Sequence, residues 1–399
     1  MIALVCAVNM VAAQNVVNLK DTVLYDYAPI DYVAVMEQLN RASQPTLWQR
    51  FSDWLNKKRN IDSADDRNLV VRGNVGLGYT QETNMMLAAA VLGRYSLNVS
   101  NEQLPYSTSM LTGAVSVNGC FRLVTHNELA LSSRDYLSVK LGGGSMPVKF
   151  WGLGYKAADV NAVSEYVQSD FYADAEYKRR VVRGLSLGAD VDFSYALAKD
   201  IQPLALEYLH QGGVHEFEFT TTGVGLMVEW DGRKMRDNRS RGAYLQLRSA
   251  VHPKALGSHD DTLWHVEATV NYYQPLWVGG ELAFDAYADM WSWNTPWLFW
   301  AKVGGENRMR GYYYGRYTDR KMATAQVELR QRIYKILSGT VWGGAGSVFS
   351  SHKLFDIDEL LPNYGVGLRV ALAGNLSFRI DYGFGRHSHG LIVNVNEAF

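Results

Sequence analysis

The residues best placed to do chemistry in this chain are an arginine in a long loop and a glutamate just beyond it. Gly304-Gly305-Glu306-Asn307-Arg308-Met309-Arg310-Gly311-Tyr312 lies within residues 293–321, about 29 residues long. A connection of that length rarely lacks a purpose. Gly311 gives backbone freedom between a bulky cation and the aromatic Tyr312. A guanidinium kept from bulk water needs a carboxylate, because an unpaired desolvated charge is costly. Glu328, on the next alternating segment, can supply it. The expected chemistry is a latch: a loop folded back and held by Arg310 and Glu328.

Other motifs bear on covalent or metal chemistry. Gly184-Leu185-Ser186-Leu187-Gly188 fits the G-x-S-x-G nucleophile pattern. That motif requires a strand–turn–helix setting, whereas here it sits in an alternating run, with Leu185, Leu187, Ala189, Val191 and Phe193 on one face. His387 and His389 flank Ser388 without a visible third ligand, so a solvated turn is expected. No catalytic residue, metal or cofactor is assigned, and the chain is not expected to be an enzyme. Cys6 and Cys120 cannot make a disulfide framework. Trp291, Trp293, Trp297 and Trp300 suit an interfacial belt or a loop core.

The elements that position these residues repeat with period two from about Asn68. Sixteen strands are predicted, at 68–79, 85–98, 107–117, 120–131, 134–141, 163–178, 179–196, 217–231, 242–252, 263–276, 279–292, 322–335, 338–350, 363–374, 376–384 and 389–399. Strand 322–335 puts Thr324, Gln326, Glu328, Arg330 and Arg332 on one face and Ala325, Val327, Leu329 and Ile333 on the other. Strand 217–231 sets Glu229 and Asp231 against Val224, Leu226, Val228 and Trp230. Alternation alone fits a soluble sandwich or a barrel with a wet lumen. The connections favour the barrel. Trp277-Val278-Gly279, Lys335-Ile336-Leu337 and Gly374-Asn375 are tight, while 197–216, 253–262, 293–321 and 351–362 are long. Short turns on one side and long loops on the other are the outer-membrane pattern. The last strand runs to Phe399, which is expected in the interfacial girdle. The predicted fold is all-β: a 16-stranded antiparallel transmembrane β-barrel with a short helical N-terminal extension, in the bacterial outer membrane.

Three spans follow. Residues 1–14 read as a signal peptide, from the apolar Ile2–Ala13 stretch and the small residues at its end. Residues 15–67 read as a helical periplasmic extension, in which Leu47, Trp48, Phe51, Trp54 and Leu55 recur at helical spacing. Residues 68–399 form the barrel. A net charge of −1 gives no nucleic-acid signature. No apolar run beyond the N-terminus is long enough for a membrane helix.

Met309-Arg310-Gly311-Tyr312 resembles the Arg-Gly-Phe/Tyr motif of the BamA/TamA superfamily, also called the bacterial surface antigen family, and Glu328 is similar to that family's inward Glu. Trp230-Asp231, Arg236-Asp237-Asn238 and Gly242-Ala243-Tyr244 resemble its Asp-Thr-Arg-Asp-Asn…Gly hairpin, and Phe150-Trp151-Gly152-Leu153-Gly154 and the closing Asn394–Phe399 strand are also similar. The chain departs from the pattern at Gly344, where the family often has an inward Asp; Asp381 is the substitute. Asp231, Asp381 and Arg379 are taken as supporting lumen charges. The 53 residues at 15–67 are too few and too helical for a periplasmic POTRA module, so the resemblance is to a barrel-only branch.

The resemblance implies assistance in inserting or exporting outer-membrane or surface proteins through a lateral seam between the first and last strands. Gly73, Gly76 and Gly78 on one side and Val393, Val395 and Phe399 on the other would form that seam. The implied partners are outer-membrane lipids, client outer-membrane proteins and accessory periplasmic proteins or lipoproteins, with no nucleic acid. The glycines also suit mere curvature or close packing. The alternative is a passive outer-membrane pore or structural surface barrel. A hydrolase using Ser186 is a third reading.

Overall fold

The computed structural model describes residues 69–80, 84–98, 104–236, 239–334, 336–350, 357–371, 377–395 and 398–399. The expected leader (1–14), the helical extension (15–67) and the Gly374-Asn375 turn lie outside the described residues.

Sixteen long strands follow one another. They are β1 Val70–Thr80, β2 Asn84–Tyr95, β3 Ser107–Ser116, β4 Phe121–Ala130, β5 Asp135–Phe150, β6 Ser164–Val182, β7 Leu185–Lys199 and β8 Glu218–Asp231, then β9 Arg239–His252, β10 Leu263–Pro275, β11 Gly280–Trp291, β12 Lys321–Tyr334, β13 Leu337–Phe349, β14 Leu361–Ala371, β15 Ser377–Gly385 and β16 Ser388–Val395. Each pairs antiparallel with the next, from β1–β2 to β15–β16. Short helices α1 (Gly154–Val160) and α2 (Pro203–Gln211) lie in the β5–β6 and β7–β8 loops.

Burial follows the two-residue period but is inverted relative to a water-soluble fold. On β8, Val224, Leu226 and Val228 are exposed, Leu226 at 70%, while Thr221 and Met227 are buried. On the paired β7, Leu187 and Val191 are exposed, and Ser186, Asp190 and Asp192 are buried. In water this arrangement would be penalised twice, by desolvated carboxylates and by a continuous exposed apolar band. Against acyl chains outside and a polar lumen inside it is the favourable one. No helix among the described residues is long and apolar enough to cross a membrane.

The wall curls around that lumen. Beyond the end of β16, Phe399 packs against lumen-facing Tyr273 of β10 and Ala283 of β11. This corrects the expectation for Phe399. Strand β16 ends at Val395 instead of running to 399, and Phe399 is 5% exposed. Its ring lies 5.2 Å from the Arg330 guanidinium, and Arg330 Nη2 donates to its carbonyl oxygen at 2.8 Å. A lumenal cation and an apolar floor thus draw the aromatic inward, away from any interfacial girdle.

Two further expectations change. Strand β5 continues from the predicted end at 141 to Phe150. Gly142, Gly143 and Gly144 stay in the strand because the wall leaves no room for side chains. A Cβ at Gly142 would lie 2.4 Å from the Tyr172 ring, and one at Gly144 would lie 2.2 Å from the Phe121 carbonyl oxygen. The β6–β7 turn falls at Arg183-Gly184, not at 178–179, with Gly184 at φ +83°. The short-turn, long-loop alternation holds from β4 to β15, and the β15–β16 connection on the long-loop side is only Arg386-His387. The β1–β2 and β3–β4 connections are short, and β2–β3, on the short-turn side, spans 96–106.

Candidate functional site

The site is built from the β11–β12 loop, residues 292–320, returning into the lumen. Ala301–Lys302 and Thr318–Asp319 pair antiparallel and form its neck. Beyond the neck the chain must press backbone against backbone. Gly311 has φ +100°, and a Cβ there would meet Gly383 of β15 at 2.5 Å. A Cβ on Gly383 would in turn meet the Arg310 carbonyl oxygen at 2.3 Å, and one on Gly385 would meet the Tyr312 ring at 2.2 Å. Three glycines, one on the loop and two on the wall, permit this seating.

Arg310 is fully buried between two strands, as are its partners Glu328 and Asp381. Its Nη2 donates to Glu328 Oε2 at 2.5 Å and its Nη1 to Asp381 Oδ2 at 2.7 Å. The guanidinium carbon lies 3.6 Å from the Trp342 ring centroid, a cation–π contact in a desolvated place. Asn363 Nδ2 donates to the Arg310 carbonyl. Around this centre stand Arg330, 2.7 Å from Glu328 Oε1, and Arg369, which contacts both carboxylates. Arg379 Nη2 donates to the Glu306 carbonyl at 3.0 Å and to Asn307 Oδ1 at 3.1 Å.

Neighbouring loop residues are pinned as well. Arg308 donates from Nε and Nη2 to Asp285, each at 2.9 Å, and lies 4.3 Å from the Tyr287 ring. Tyr312 donates to the Pro362 carbonyl at 2.6 Å and accepts from the Arg386 amide at 2.7 Å. Ser388 Oγ donates to the Gly311 carbonyl at 2.6 Å. The loop tip is therefore tied to β11 through β15 and to the start of β16.

A second lock lies at the long-loop end. Asp159 at the end of α1 accepts from Arg386 Nε and Nη2 at 2.7 and 2.9 Å and from the Tyr317 hydroxyl at 3.2 Å. The Arg386 hydrogen bonds hold the Asp159 carboxyl below the usual carboxylate range. Arg316 donates to the His387 carbonyl at 2.8 Å. Three loops are joined there.

Of the residues singled out from sequence, Arg310, Gly311, Tyr312, Glu328, Asp381 and Arg379 converge. Asp231 does not join them. It is the last residue of β8, at the short-turn rim, where its carboxylate pairs with Arg233 at 2.9 Å. Gly344 has no space for the Asp that the resemblance would put there, since a Cβ would meet the Ala325 carbonyl oxygen at 2.4 Å and Gln326 at 2.7 Å. Gly73, Gly76 and Gly78 lie opposite Val91, Ala88 and Met86 of β2. Val393 and Val395 lie opposite Ile380 and Phe378 of β15. Ser186 lies inside β7, opposite Arg180 and Glu229, so the strand–turn–helix setting is missing. His387 faces Asp159 at 3.4 Å, whereas His389 shares a hydrogen bond with the Tyr382 hydroxyl. No group of three or more metal-binding side chains forms among the described residues.

Sequence reasoning missed Arg308–Asp285, Arg369 and Trp342. The signal was present: Arg308 is two residues before Arg310, and Asp285 and Arg369 have the inward parity of their strands.

No family model matches the sequence, and no curated protein matches it. Solved structures do match in fold. BamA from Haemophilus ducreyi lacking POTRA domains 1–3 is 10% identical with a TM-score of 0.57, over 82% of this chain and 70% of that one. CdiB from Escherichia coli is 11% identical with a TM-score of 0.55, and CdiB from Acinetobacter baumannii is 13% identical with a TM-score of 0.50. The match covers 82% of this chain in both cases, but only 61% and 56% of the two CdiB chains. The likeness is one of fold, and it sets this sixteen-stranded wall beside the barrels of BamA and CdiB.

Proposed function

We propose that the chain forms a closed barrel in the bacterial outer membrane and assists insertion or export of outer-membrane or surface proteins at the seam between β1 and β16. The observation that carries this reading is the burial of Arg310 between Glu328 and Asp381. The loop is fastened to β12–β15 and to Ser388 at the start of β16, which stiffens the C-terminal side of the seam. The other side is β1, weakened by Gly73, Gly76 and Gly78. A stiff edge beside a soft one suits transient opening and pairing with an incoming strand by β-augmentation. Clients and outer-membrane lipids are the partners. Accessory periplasmic proteins or lipoproteins would deliver clients.

The test is proteoliposome reconstitution with an unfolded outer-membrane protein as client. Client folding should rise with the protein present and fall when cysteines introduced across the β1–β16 seam are oxidised. Steady, large bilayer currents with no effect on client folding would support a passive pore instead.

A further inference from the structure

The short-turn rim is chemically divided. Segments 131–136, 177–186 and 229–241 carry ten Arg and Lys against four Asp and Glu, in a chain of net charge −1. The long-loop segments 200–217 and 253–262 carry five carboxylates and one lysine. The excess of cations therefore belongs to one end of this side of the wall.

The three segments form one arc. The Arg180 amide donates to the Arg134 carbonyl at 2.8 Å, and the Asp231 amide donates to the Gly184 carbonyl at 2.7 Å. Three of the four carboxylates are already engaged: Asp135 with Arg179, Glu229 with Lys178 and Asp231 with Arg233. Among the described residues, Arg134, Arg180, Arg183, Lys234 and Arg241 make no ion pair, and all five are exposed.

The arc continues the apolar wall. Arg179 has outward parity and lies opposite Leu187, which is exposed on β7. Tyr177, Trp230, Leu131 and Val182 are exposed beside the cations. Arginines mixed with aromatic and aliphatic side chains at the end of an apolar face match the headgroup zone of a bilayer. An acidic protein partner would meet the charges equally well, but it would not account for Tyr177, Leu187 and Trp230 exposed on the outward face beside Arg179.

We propose that this arc binds the phosphate headgroups of anionic glycerophospholipids in the leaflet facing the short turns. The proposal rests on the membrane placement argued above. Its test uses the full chain in nanodiscs of mixed phosphatidylglycerol and phosphatidylcholine. Lipids retained after detergent extraction are quantified by native mass spectrometry. Wild type should retain phosphatidylglycerol preferentially. The variant Arg134→Gln/Arg183→Gln/Lys234→Gln should lose roughly tenfold of that preference, with heat-modifiable folding unchanged. The same positions with the arginines changed to Lys should keep most of it. An unchanged lipid ratio in the Gln variant overturns the proposal. An unchanged ratio, together with loss from the Gln variant of an acidic protein crosslinked to wild type in native outer membranes, would assign the arc to a protein partner instead. Failure of wild type to enter nanodiscs at all would instead count against the membrane reading.

Discussion

At the scale of single residues, a desolvated guanidinium and two carboxylates hold the loop in the lumen. Removing one member of such a group leaves the others buried and uncompensated, a loss of about 3–5 kcal/mol. Arg310→Ala should therefore lose the heat-resistant, compact form on semi-native gels. Arg310→Lys should restore little of it, because an ammonium cannot reproduce the planar fork that spans Glu328 and Asp381 while stacking on Trp342. The glycines give a sharper contrast. Gly383→Ala places a methyl against the Arg310 carbonyl and should lower the unfolding temperature on those gels. Gly343→Ala, where nothing lies within 4 Å, should leave it unchanged. Much of this centre was legible in the sequence. Arg310, Gly311 and Tyr312 stood out in an overlong loop, Glu328 followed from strand parity, and Asp381 entered as the substitute for the carboxylate absent at Gly344. Arg369 and Trp342 did not stand out, since an inward residue on a predicted strand becomes a partner only once the loop's depth in the lumen is known.

At the scale of elements, loops and strands carry different amounts of information in their sequences. Period two located all sixteen strands, because alternation is dictated residue by residue by the two solvents. It ended β5 at 141, before three glycines that serve here as room for Tyr172 and for the Phe121 backbone. It also carried β16 to Phe399, because a terminal apolar run gives no sign that its last residue turns toward a lumenal arginine. The long-loop lock yields a prediction from its charge. A carboxyl held low adds stability above its ordinary value of 3.8 and loses it as pH falls through the folded value. A spin-label distance between α1 and the β15–β16 turn should stay constant above pH ~4 and lengthen below it. Asp159→Asn should remove that step. A distance that lengthens near neutral pH would assign the lock to other groups.

At the scale of the whole molecule, the inverted pattern of burial decides what surrounds the chain. A wall that exposes Leu226 and buries Glu328 and Asp381 is stable only with hydrocarbon outside and polar contacts inside. The latch, the long-loop lock and the basic rim all depend on that placement. The most direct measurement is a nitroxide scan along β8 in lipid bilayers, comparing collisions with oxygen and with a water-soluble nickel chelate. Labels at Val224, Leu226 and Val228 should collide mainly with oxygen. Labels at Met227 and Glu229 should show low oxygen access, giving a period of two over the strand. Equal access on both faces, or nickel access at Leu226 in a chain that stays soluble without detergent, would contradict the account.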